Sequence, residues 1–83
     1  VKTVYSNLYE ITELQQKIMR FVDYWVHIEK KPIPQKTIIE EMVAHGQNNR
    51  TVEASLTSLL RLGYIRKAVI ISNKTYYTQL RRI

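Results

Sequence analysis

The 83-residue sequence predicts a single α+β domain, mostly α, in which three helices lead into a C-terminal β-hairpin. Three observations predict it. Apolar residues recur at three- and four-residue spacing in three separate stretches before Gly63. After Gly63 the pattern changes to β-branched and aromatic residues around a short polar turn. The formal net charge of +6 also divides unevenly. Up to Asn49, Lys2, Lys17, Arg20, Lys30, Lys31 and Lys36 are matched one for one by Glu10, Glu13, Asp23, Glu29, Glu40 and Glu41. Beyond it, Arg50, Arg61, Arg66, Lys67, Lys74, Arg81 and Arg82 face Glu53 alone, so the whole excess lies on the third helix, the hairpin and the tail.

Residues 1–10 form an N-terminal arm in which Val4, Tyr5, Leu8 and Tyr9 fit a loose arm, a short strand or an extra helical turn equally well. Thr12-Glu13-Leu14-Gln15 fits a capping box, with a hydroxyl and an amide each satisfying a free backbone N–H. Leu14, Ile18, Val22 and Trp25 then recur at helical spacing, widened by Ile11, Met19, Phe21 and Ile28. The first helix is therefore expected over 13–28, with Trp25 and Phe21 as core residues. Pro32-Ile33-Pro34 breaks the pattern into an extended connection with Ile33 turned inward. The second helix is expected over 35–45, burying Ile38, Ile39, Met42 and Val43, exposing Glu40 and Glu41, and closing at His45-Gly46.

Gln47-Asn48-Asn49 reads as the turn, with Asn49 as the N-cap of the third helix and Asn48 as the alternative. That helix is expected over 50–62, with Val52, Leu56, Leu59 and Leu60 inward. Arg50, Thr51, Glu53, Ala54, Thr57, Ser58 and Arg61 make its other face, whose short, polar or cationic side chains suit close approach to a groove. Gly63 ends it. Tyr64–Ile71 and Thr75–Leu80 read as the two strands of a hairpin over 64–80, with Ser72-Asn73-Lys74 as its cationic turn.

Composition narrows the class. A basic surface concentrated in this way attracts a polyanion, and nucleic acid is the usual one. No cysteine is present, so disulfides and thiolate-bound zinc play no part, and a reducing, cytoplasmic location is expected. No apolar run approaches the roughly 20 residues that span a bilayer, and no signal peptide is visible. The chain opens on Val rather than Met, which reads as trimming or excision from something longer. No catalytic constellation emerges. His27 and His45 lie on different elements without metal-ligand spacing, and the adjacent Glu40 and Glu41 point in different directions on a helix. Glycine occurs only at 46 and 63, so there is no phosphate-cradling loop. The chain is expected not to be an enzyme and to need no cofactor or metal.

Gln15-Gln16, Pro32 with Pro34, Thr51-Val52, Leu56 and Gly63-Tyr64-Ile65-Arg66 occur in the order found in LexA-like regulators. From Glu10 to Tyr77 the sequence resembles the winged helix-turn-helix DNA-binding domain of LexA-like and MarR-like proteins. It departs from them in a longer second helix and a shorter turn. The LexA-type Ser/Lys protease part and the long MarR-type dimerisation helices are not in these 83 residues. The resemblance implies that the third helix enters the major groove while the hairpin, as a wing, lies on the backbone. Carried over, Asn49, Arg50, Glu53, Ala54 and Thr57 face base edges, with Arg50 suited to guanine and Asn49 to adenine. Glu53 accepts from cytosine or holds Arg50. Lys36, Thr51, Ser58, Arg61, Arg66, Lys67 and Lys74 contact phosphate and set register.

The leading expectation is a sequence-specific transcriptional regulator, of a bacterial, phage or mobile-element repressor type, acting on duplex DNA. The alternative is a small accessory subunit of a replication or recombination complex that binds single or double strands, or a larger protein partner. For that reading Tyr5, Tyr9, Tyr76 and Tyr77 either stack on unpaired bases or anchor core and interface contacts. Winged helices also serve purely as protein-binding modules, a third reading. Homodimerisation stays open, and no membrane partner is expected.

Overall fold

A computed structural model describes residues 11–72 and 74–81 of the chain. The arm over 1–10, with Tyr5 and Tyr9, lies outside the described residues, as do Asn73, Arg82 and Ile83. The protein is a small α+β domain, mostly helical, with three helices and a three-stranded antiparallel sheet. In chain order these are α1 (Glu13–Glu29), β1 (Ile33–Pro34), α2 (Gln35–Ala44), α3 (Asn49–Leu62), β2 (Ile65–Ile71) and β3 (Lys74–Gln79).

Each helix starts and stops for a local reason. At α1 the Thr12 hydroxyl accepts from the Gln15 N–H at 3.2 Å, and the Gln15 side chain accepts from the Thr12 N–H at 2.9 Å. This is the capping box, in which the buried Gln15 uses its backbone N–H and its side-chain oxygen. The helix runs to Glu29 and closes on Lys30, which takes the left-handed conformation at φ 59°. Pro34 precedes α2 and its ring sets φ at −66°, so the chain enters the helix without a side-chain cap. The α2 helix ends at Ala44 rather than at His45. His45 is the cap, its N–H donating to the Met42 and Val43 carbonyls and its Nδ1 lying 2.8 Å from the Glu41 carbonyl.

Asn48, not Asn49, caps α3. Its side-chain oxygen accepts from the Thr51 N–H at 3.2 Å, and its carbonyl accepts from the Val52 N–H at 3.1 Å. Asn49 is therefore the first residue of the helix and its side chain is exposed. Asn48→Ala is expected to cost about 0.5–2 kcal/mol in urea denaturation, while Asn49→Ala costs a few tenths at most. Equal costs would contradict this assignment. Gly63 closes α3 at φ +83°, a left-handed geometry that a side chain would strain.

The sheet order is β1-β3-β2. Ile33 pairs with Tyr77 and Pro34 with Tyr76, while β2 and β3 form a hairpin from Ile65–Gln79 to Ile71–Lys74. The register slips between Lys67 and Val69, where β2 carries one extra residue, Ala68. The two-residue β1 pairs with one neighbour only among the described residues, which is where a proline can sit in a sheet. The first hairpin strand starts one residue later than the sequence suggests and ends at Ile71 as expected, while the second lies one residue earlier at both ends. Tyr64 precedes β2 and Leu80 follows β3, with 54% of Leu80 exposed.

The core gathers Ile18, Met19 and Val22 of α1, Ile33 of β1, Ile38 and Met42 of α2, and Val52, Leu56 and Leu59 of α3. Ile11, Tyr64, Ile65 and Tyr77 close it. Phe21 and Trp25 pack against it half-buried, as a tilted pair 6.5 Å apart, rather than inside it. Of the residues expected inside, Ile28 and Val43 are exposed, while Ile39 and Leu60 pack against the core only half-buried. Ile28 sits on the last turn of α1 and is 60% exposed. Val43 is 41% exposed and Ile39 half-buried, because the face of α2 they share looks onto an open cleft. Tyr77, for which the sequence left base stacking and core or interface contacts open, is buried in the core, and its backbone pairs with Ile33. Tyr76 is half-buried.

Candidate nucleic-acid interface

The outward face of α3 follows from its period. With Val52, Ser55, Leu56 and Leu59 committed to the interior, Arg50, Thr51, Glu53, Ala54, Thr57 and Arg61 are left exposed. Ser58 lies at the edge of this face and is half-buried, which leaves its hydroxyl less room for a partner than the sequence suggests. Ser55, unassigned in the sequence reading, is buried. The Thr57 hydroxyl donates to the Glu53 carbonyl at 3.1 Å, so its oxygen keeps its acceptor capacity toward solvent.

The hairpin brings a second group of cations. Arg66 and Lys67 are exposed on β2, and Lys74 is exposed at the start of β3. Lys36 is exposed in the first turn of α2. Lys36, Asn49 and Lys74, drawn from three elements, line one open cleft of about 680 Å³ between α2 and the hairpin. Pro34, Ile39, Val43 and Ala44 provide its apolar surface.

The charges on these elements are uncompensated. The three acid–base pairs within 4.0 Å among the described residues are all i,i+4 pairs on α1 or at the end of α2: Glu13 with Lys17, Asp23 with His27, and Glu41 with the cap residue His45, the last two ionic only when the histidine is protonated. Lys36, Arg50, Arg61, Arg66, Lys67 and Lys74 form no ion pair there. Arg81 is different. Its guanidinium lies 4.2 Å over the Tyr64 ring and donates to the Leu62 carbonyl at 3.4 Å, so it braces the fold rather than joining the outward cations. Sequence order gives no signal of this contact, because it links the far end of the hairpin back to the end of α3.

Glu53 has a second neighbour. Burial, and then the Glu53 carboxylate, push the Tyr77 hydroxyl above its ordinary value of 10.0. Glu53 thus lies close enough to β3 to bias a buried phenol, although its own side chain is exposed. The folded state favours the neutral phenol, so this stabilisation is intact below about pH 10 and is lost as pH rises through the raised value. Between about pH 8 and about pH 11 the urea midpoint of the wild type is expected to fall further than that of Tyr77→Phe. Equal falls would show that Tyr77 does not report alkaline destabilisation.

Among the described residues no His, Asp and Glu cluster could hold a metal ion, and no helix is long and apolar enough to cross a membrane. No protein-family model, no curated protein and no solved structure matches the chain.

Proposed function

We propose that the chain is a winged helix-turn-helix DNA-binding protein, and that it acts as a sequence-specific transcriptional regulator. The observation that carries this is the set of exposed cations without ion-pair partners among the described residues on α3, the hairpin and the start of α2, with Glu53 the only acid of α3 and the two hairpin strands. On this reading α3 enters the major groove. Asn49, Arg50, Glu53, Ala54 and Thr57 meet base edges there. Thr51, Ser58, Arg61, Arg66, Lys67, Lys74 and Lys36 hold the phosphate backbone and fix the register. The element order of helix, strand, two helices and hairpin accommodates such a geometry.

The test neutralises the hairpin. Arg66 and Lys67 are exposed and make no ion pair among the described residues, so Arg66→Gln with Lys67→Gln leaves the fold intact. Binding to every duplex sequence should weaken alike, and the slope of log K against log salt should shrink by about 1.8. An unchanged slope would remove the hairpin from the interface.

A second reading, an accessory subunit that docks on a larger replication or recombination protein, is favoured by one observation. Tyr24 and Ile28 stand 61% and 60% exposed one turn apart on α1, beside the half-buried Phe21 and Trp25. Stable association with a protein partner, and no salt-sensitive affinity for DNA, would establish it over the first.

A further inference from the structure

We infer that the cleft between α2 and the hairpin is a slot for the sugar–phosphate backbone of one DNA strand; this rests on the DNA-binding reading above. The cleft runs along α2 from Lys36 to Ala44, about 12 Å at the helical rise per residue. A strand advances about 3.4 Å along the duplex axis per nucleotide, so a short run of it fits that length. Lys36 stands on the α2 wall and Lys74 on the hairpin wall, which brackets a polyanion from both sides. Asn49, freed from capping by Asn48, adds an amide donor at the end nearest α3. The apolar strip is the distinguishing feature. Ile39 and Val43 lie one turn apart on α2 with Pro34 beside them, and Val43 is 41% exposed. Deoxyribose presents C–H edges between its phosphates, and these cover such a strip while the phosphates meet the two lysines. A strand seated there is continuous with contacts made by α3, because Asn49 belongs to both surfaces.

One residue opposes this occupant. Glu40 is the single acid lining the cleft among the described residues and it is exposed, so its carboxylate repels a phosphate seated there. Removing that charge therefore has the opposite sign from removing the lysines, which makes the slot testable with four surface substitutions. Binding to a labelled random-sequence duplex is measured by fluorescence anisotropy across a salt series. Lys36→Gln and Lys74→Gln are each expected to weaken binding and to lower the salt slope by about 0.9. Glu40→Gln is expected to tighten binding by about two- to fivefold. Val43→Gln, which changes no charge, is expected to weaken it by about two- to fivefold at an unchanged slope. Glu29→Gln, an exposed acid at the end of α1 that likewise makes no ion pair among the described residues, serves as the control and should have no effect. If Glu40→Gln and Val43→Gln bind like wild type while Arg50→Ala is still weakened, α3 meets DNA and the cleft does not carry the strand. If the wild type binds no duplex at all, the slot falls together with the DNA-binding reading.

Discussion

Tyr64→Ala is expected to destabilise the protein by about 3–5 kcal/mol, the range for removing a buried aromatic. Tyr64 heads the fully buried side chains by size and is 1% exposed. It follows the glycine that ends α3, and its N–H donates to the Leu59 carbonyl at 3.0 Å. Its own carbonyl accepts from the N–H groups of Leu80 and Arg81 at 2.8 and 3.1 Å, which ties the end of β3 to the end of α3. Those backbone bonds do not need the side chain, but the ring beneath the Arg81 guanidinium holds the junction in place. A domain of this size has about 4–12 kcal/mol of stability, at roughly 0.05–0.15 kcal/mol per residue. The substitution therefore removes a large fraction of it. Urea denaturation measures the loss, and a variant within about 1 kcal/mol of wild type would show that Tyr64 is not central to the core.

Arg50→Ala is expected to abolish discrimination at one base pair while leaving the fold alone. Arg50 lies in the first turn of α3, is exposed, and makes no ion pair among the described residues. Its loss should change stability by no more than about 0.5 kcal/mol. A bidentate arginine–guanine contact supplies about 1–3 kcal/mol of discrimination, or about 5- to 150-fold in affinity. After selection of a preferred duplex, its affinity is compared with that of single-base variants. In the Arg50→Ala protein one position should become indifferent and the others should keep their order. Unchanged preference at every position would remove Arg50 from the base-reading set.

Much of the fold was legible because local signals agreed with tertiary ones. Thr12 and Gln15 mark the start of α1 by chemistry, and Ile18, Met19 and Val22 mark its buried face by period. What escaped has identifiable causes. Asn48 and Asn49 are equally good caps in composition, and only the hydrogen bond from the Thr51 N–H separates them. Val43 and Ile28 obey helical spacing, but spacing cannot tell how far a neighbouring element stands off from a helix face. Tyr76 and Tyr77 alternate, and which of them turns inward depends on the pairing with β1 and on a bulge at Ala68 that nothing in that β-rich run announces. Of the candidate interface, the charge asymmetry was visible in composition. The convergence of Lys36, Asn49 and Lys74 on one cleft was not, since they come from three elements. The diversion of Arg81 onto Tyr64 was equally hidden.

The most direct test of DNA binding is a fluorescence-anisotropy titration of the wild-type chain against random duplex and random single strand at two salt concentrations. The proposed function predicts tighter binding to duplex and a steep loss of that affinity as salt rises. Preference for the single strand, or no salt-sensitive binding to either, would contradict it.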